Sequence, residues 1–293
     1  MKLIGYVAHN LTLDTSASKT VRLKNLTDET LRKLTAENLF SLSKILEWNI
    51  EHNIFFYRIT SNLIPYASHP ANTTDWQNEF RENFKTIGNF ISDNKVIVSM
   101  HPGQYTVLSS PVDAVVKRAI AEIEYHNTVL DLLNTSSDAK IIIHLGGRYG
   151  NKSLAIKRFV KNYKKLSSQT KKRLVIENDD VIYTVNDCLK VYQATGLPVV
   201  FDNLHCQINP DNESMLESLK RCLATWDSTP ETHYSEQAPN KLEGAHSTSI
   251  NIKNFLDFYT KTSELNFNIM LEAKDKEQSV LKILKELQSK HYY

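Results

Sequence analysis

The chain has 293 residues and a net charge of only +2, with 41% hydrophobic and 23% charged residues. That balance is of an ordinary soluble protein, and the length suits one large domain or two small ones. The charge does not by itself announce a nucleic-acid binder, although divalent ions held in a cleft would add positive charge that composition omits.

Apolar runs such as residues 96–100 and 140–144 are far too short to span a bilayer. The start, Met1-Lys2-Leu3-Ile4-Gly5-Tyr6, carries no signal-peptide pattern. Cys188, Cys206 and Cys222 cannot all pair and lack CxxC spacing, and Cys206 is expected to pack rather than bind metal. The expectation is a reduced intracellular protein, cytoplasmic and nucleoid-associated if prokaryotic, without membrane contact or an evident obligate protein partner.

A rhythm runs along the chain: a short β-branched run, a polar loop, then a helical pattern. Strands are predicted at residues 3–7, 54–59, 96–101, 140–144, 173–177, 198–202, weakly at 232–234, and at 268–273. Most are near-continuous apolar stretches, as expected of strands buried on both faces of a parallel sheet. Helical spacing recurs through Leu31, Leu34, Leu39, Leu42, Ile45, Leu46 and Ile50, and again over 112–133 and 278–287. Ser110 is a candidate cap, with Pro111 in the first helical turn behind it. Eight strands alternating with helices predict an α/β fold, a single (β/α)8 TIM barrel over 1–293. The alternative, an open doubly wound sheet, would want a Gly-rich phosphate loop where Val7-Ala8-His9-Asn10-Leu11 stands.

Polar residues fall where such a barrel needs them. His101, His144, Glu177, Asp202 and Glu272 end predicted strands. His69 follows the second strand's loop, His205 lies three residues beyond Asp202, and His233 and His246 bracket the loop after the seventh strand. The carboxyl ends of barrel strands meet at one face, so these residues converge. Singly, each reads as a loop or capping residue. Six of the ten histidines at one level with three carboxylates would repel or sit unpaired without cations. The set has no thiolate at a strand end and suits Zn²⁺ or Mn²⁺. Nine candidates exceed the needs of one ion, and neighbouring ions bridged by a carboxylate are recurring machinery for attack on a phosphodiester. His52 and His126 are expected to be surface or packing residues and His291 solvent-facing, while His9 stays open. Lys157, Arg158, Lys161, Lys164 and Lys165 are expected on a solvated helix face.

Together the motifs resemble those of UV damage endonucleases. They are Gly5-Tyr6-Val7 with Asn10, Arg58-Ile59-Thr60-Ser61 with Pro65 and Ser68-His69, His101-Pro102-Gly103-Gln104-Tyr105, and His144-Leu145-Gly146-Gly147 with Gly150-Asn151-Lys152. Then come Glu177-Asn178-Asp179, Asp202-Asn203-Leu204-His205, His233-Tyr234-Ser235-Glu236, Gly244-Ala245-His246-Ser247 and Leu271-Glu272-Ala273-Lys274. The ordered set runs from near residue 3 to near residue 276.

The resemblance implies a barrel related to endonuclease IV that nicks damaged double-stranded DNA immediately 5′ to cyclobutane pyrimidine dimers and 6-4 photoproducts. It implies three divalent ions, commonly Mn²⁺, with Zn²⁺, Co²⁺ or Mg²⁺ as alternatives. Carried over by position, the ligands are His69, His101, His144, Glu177, Asp202, His205, His233, His246 and Glu272, with Glu177 as a bridge. Glu177, His69 and Tyr6 take catalytic roles, Gln104 and Tyr105 probe the duplex, and Tyr6 and Asn10 line the pocket for extruded bases. The family usually has a modifiable lysine two residues before His233, where this chain has Glu231, added here as a candidate ligand. Rival readings are an apurinic-site endonuclease, a sugar isomerase on the same barrel, and a metal-free lesion-binding protein. An exposed Gln104-Tyr105 pair favours a duplex reader over an isomerase.

Overall fold

A computed structural model describes residues 2–290, so His291 lies outside the described residues. Eight strands form a closed barrel: β1 (Ile4–Val7), β2 (Phe56–Ile59), β3 (Ile97–Met100), β4 (Lys140–His144), β5 (Leu174–Glu177), β6 (Val199–Asp202), β7 (Glu231–Tyr234) and β8 (Asn268–Leu271). Chain order is barrel order, neighbours are parallel, and β8 closes on β1. The helices are α1 (Asp28–Glu51), α2 (Trp76–Glu79), α3 (Arg81–Asp93), α4 (Asp113–Leu132), α5 (Lys152–Tyr163), α6 (Ser168–Arg173), α7 (Val185–Thr195), α8 (Asn203–Ile208), α9 (Met215–Leu223), α10 (Ile252–Lys261) and α11 (Glu277–Ser289). None is long and apolar enough to cross a membrane among the described residues.

The predicted α/β barrel is therefore the observed fold, for the expected reason. Leu39, Leu42, Ile45 and Leu46 on α1 are buried in one core with the barrel strands, Leu31 is buried on the same helix, and the Thr27 hydroxyl accepts the Thr30 N–H to start it. Gly196 ends α7 at φ 75°, a left-handed position where a side chain is strained. The start of α4 differs from expectation. The helix begins at Asp113, with Val112 as an uncapped N-cap, and Ser110 accepts the Val112 N–H instead. A local side-chain turn has taken the bond that a helix cap would have used.

Residues two apart on a strand share a face, and this places the chemistry. Ile142, Val175 and Val200 form a small apolar floor, against which Trp226 packs. Two residues further along the same strands come His144, Glu177 and Asp202. The register sets His144 level with Glu177 and Asp202 level with His233. Four strands thus raise an imidazole and carboxylate layer above an apolar one.

Candidate metal centre

Glu177 is the hub of this layer. It is buried, with Oε2 3.0 Å from His101 Nε2 and 3.5 Å from His144 Nε2, and Oε1 2.7 Å from His233 Nδ1 and 3.5 Å from His205 Nδ1. His101 follows β3 directly, and Glu272 follows β8, its N–H donating to Tyr234 O at 2.9 Å. Glu272 reaches His233 at 3.5 Å and His246 at 3.7 Å. Eight of the expected ligands thus form one connected set, counting Asp202 through His205 at 3.7 Å.

Electrostatics follow from burial among opposite charges. Burial pushes the Glu177 carboxyl up, but the His233 and His144 imidazoles and the hydrogen bonds from His101 and His233 outweigh it and hold it well below the ordinary range. Burial also pushes Glu272 up, yet Arg58 and His233 bring it down to about 2. Burial lowers His205, which Asp202 and Glu177 raise to about 9. Burial and Arg58 lower His233, which Glu177 and Glu272 raise to about 10.

The donor set fits metal ions. His101, His144 and Glu177 offer atoms within 4.8 Å of one another, as do Glu177, Asp202 and His233. Asp202 Oδ2 and His144 Nδ1 are buried without a hydrogen-bond partner, although Asp202 Oδ1 accepts the His205 N–H. A carboxylate oxygen buried alone is costly, and a cation removes that cost. Asn178 adds backbone bracing: its side chain accepts the Asp202 N–H and donates to the Asp202 carbonyl, while His205 Nδ1 sits 2.9 Å from its own carbonyl.

Two expectations fall elsewhere. His69 is exposed on the loop after β2, where its Nδ1 accepts the Ala71 N–H, and it lines a second cavity beside Tyr105, Arg118 and Glu122. Ser68 donates to the buried carboxyl of Glu122, which ties this loop to α4. Tyr6 and Asn10, expected in the lesion pocket, are buried and are not among the residues lining the mouth. Alternation turns Tyr6 outward, its hydroxyl donating to Asn49 on α1 at 2.7 Å and accepting from Asn10 at 3.0 Å. Burial pushes the Tyr6 phenol up, away from acid–base work. Asn10 is occupied by the N–H groups of Thr12 and Leu13.

Arg58 was the residue that strand-end counting missed. It is 3% exposed inside β2, donating to Glu272 at 2.5 Å, to Glu231 at 3.0 Å and against His233 Nε2. A charged residue inside an apolar strand was its signal. Glu231 is buried, with Oε1 also accepting the Ser99 hydroxyl at 3.1 Å and lying 3.4 Å from His233 Nε2. It shares the inward face with His233 but sits one step lower, on Arg58.

Above the layer opens a cleft of about 670 Å³, lined by the cluster, by Gln104 and Tyr105, and by Asp180, Val181 and Ile182. Tyr105 is 71% exposed at its rim and Val181 76%. Asp179 Oδ1 accepts N–H groups from Val181, Ile182 and Tyr183, so the Val181 turn is braced. His126 is a packing residue, its Nδ1 2.7 Å from Glu122 O, and His52 stacks on Trp48. The three cysteines are free and buried. On α5, Arg158 departs from the expected solvated face: its guanidinium donates to Ser109 O at 2.7 Å and covers the Tyr149 ring.

A parallel barrel with buried imidazoles and carboxylates at the carboxyl ends of its strands defines a metal-dependent barrel enzyme. A sequence model of the UV-endonuclease UvdE family matches residues 2–292. The UV DNA damage endonuclease of Clostridium perfringens is 44% identical over 289 residues, covering 97% of this chain and 70% of that one. That of Bacillus cereus (strain 03BB102) is 36% identical over 299 residues, covering 97% and 94%. The crystal structure of SacUVDE superposes with a TM-score of 0.95 at 43% identity, covering 99% of each chain. The chain belongs to the UV-endonuclease UvdE family, and it is a DNA-repair endonuclease for UV damage.

Proposed function

We propose that this endonuclease nicks damaged duplex DNA immediately 5′ to cyclobutane pyrimidine dimers and 6-4 photoproducts, leaving a 3′-hydroxyl and a 5′-phosphate. The observation that carries the reading is Glu177, one buried carboxylate shared by four imidazoles below a cleft of about 670 Å³. Glu177, His101, His144, Asp202, His205, His233, His246 and Glu272 would hold divalent ions, with His69 completing a third site from its loop. Three ions, Mn²⁺ first, are proposed. Bound there, they supply Lewis-acid charge for in-line displacement at a phosphodiester.

The chain's own residues do the rest. Glu177 holds His101 and His233 in one geometry, and Asn178 fixes the backbone of Asp202. Gln104 and Tyr105, which stand exposed at the rim, would fill the gap when damaged bases leave the stack. A lesion weakens stacking and pairing, so a damaged dinucleotide is extruded at lower cost than normal bases, which favours it. The test is incision of an end-labelled duplex carrying one defined photoproduct, with both termini mapped. A nick 3′ to the lesion, or equal cutting of undamaged duplex, would reject this reading.

A further inference from the structure

Beside the cluster lies a smaller cleft of about 400 Å³, lined by Val7, Gly244, His246, Glu272, Ala273, Lys274 and Lys276. Both neighbours of Lys276 are anchored elsewhere. Asp275 accepts the Ser279 hydroxyl at 2.6 Å and the Lys282 ammonium at 3.2 Å. Glu277 is buried and accepts the N–H groups of Leu11 and Thr12, each at 2.9 Å. Lys276 is left between them as the N-cap of α11, at φ 52° and ψ −120°. That backbone favours glycine, and a lysine side chain has no acceptor with which to cap a helix. Local folding therefore does not account for lysine here.

Its side chain points to a ligand instead. Lys276 is half-buried, and among the described residues no hydrogen bond or ion pair engages its ammonium. The foremost anion acting on it is Glu272, which Arg58 already binds and which belongs to the metal-ligand set. Across the cleft's Val7 edge, Ala8 sits at φ 64° in a three-residue turn closed by the His9 N–H on Val7 O at 2.8 Å. Two non-glycine residues held in the left-handed region at one corner of a site mark a place the surroundings over-determine, often for function. With Glu272 bound by Arg58, Glu277 by backbone N–H groups and Asp275 by Lys282, the corner holds a lysine ammonium with no hydrogen-bond acceptor of its own beside the metal-ligand set, and the anion such an enzyme brings is a phosphate.

We propose that Lys276 holds a non-bridging oxygen of the backbone phosphate flanking the scissile bond, and so steers the incised strand across the metal centre. This rests on the reading that the cleft takes DNA. The experiment measures binding of holoenzyme to a dimer-containing duplex with a hydrolysis-resistant phosphorothioate at the cut site, as a function of salt. Lys276→Gln should bind more weakly, with a salt slope shallower by about 0.9. Lys276→Arg should restore the slope. Lys276→Gly, which relieves the backbone, should melt higher than wild type yet share the Gln variant's binding defect. A neutral methylphosphonate at the flanking phosphate should weaken wild type and leave Lys276→Gln unaffected. Wild-type slopes in both Lys276→Gln and Lys276→Gly would overturn the assignment. Failure of wild type to prefer the damaged duplex would overturn the DNA reading with it.

Discussion

The two sides of the mouth are built differently. On the β4–β7 side, His144, Glu177, Asp202 and His233 sit on strands whose register sets them in two level pairs, and a hydrogen bond already joins His233 to Glu177. On the β2–β3 side, His69, Gln104 and Tyr105 stand exposed on loops, and His69 is bonded only within its own turn. Strand-borne residues are positioned by the sheet before any ligand arrives, whereas loop-borne ones are positioned by what they bind. The first side should govern whether there is chemistry at all, and the second how well the lesion is read.

The largest effect should come from the hub. Glu177→Ala should strip bound metal and lower nicking on the order of 10⁴-fold, while circular dichroism still reports the barrel. Near-normal incision in added Mn²⁺ would dissolve the contrast between the two sides. His69→Ala should be milder, removing one equivalent of metal by elemental analysis while leaving the rest bound. Loss of all metal in that variant would show the loop to be as integral as the strands.

The double change Gln104→Ala, Tyr105→Ala should weaken binding of damaged duplex by roughly 10- to 100-fold with metal content intact, since a stacked base is worth about 1–3 kcal/mol. Unaltered affinity would remove the probe from the loop side. Smaller still is Glu231→Gln, which leaves Arg58 with one fewer anion. It should cost about 1–3 kcal/mol of stability in chelator-treated protein and lower occupancy at one ion more than the others. Equal melting and equal metal stoichiometry would return Glu231 to an ordinary buried residue.

The smallest effect is in pH. In metal-free protein, His205 and His233 are raised to about 9 and about 10. Between the ordinary histidine value and those values the folded chain binds more protons than the unfolded one. Their stabilisation is therefore complete below about pH 6.5 and fades as pH rises toward 10. Thermal melts in chelator should fall across that range, and added Mn²⁺ should flatten the fall. A melt that rises from pH 7 to 10 without metal would contradict the charged imidazoles.

Much of this is legible in the sequence for a physical reason. Strands buried on both faces are written as apolar runs, and residues that end them must converge at a barrel mouth. The seventh strand was faint because Glu231, Thr232 and His233 are polar yet buried, their burial resting on partners far along the chain. The motif around Tyr6 did not show that strand parity turns its side chain toward α1, because a motif does not reveal which face a residue takes. Arg58 left a local sign, a charge inside an apolar strand, but its partners lie far along the chain, and the meaning of Lys276 lies in a backbone angle that leaves no local pattern.

Arg58 carries one more consequence. A newly made chain meets its ions after folding begins, and a mouth full of carboxylates would resist closing until they came. A guanidinium held between Glu231 and Glu272 removes that dependence, because the protein brings its own counter-ion to the gathering. Two of the carboxylates at the mouth thus meet a fixed positive charge that the chain itself supplies, so less of the repulsion at closure is left for incoming ions to relieve.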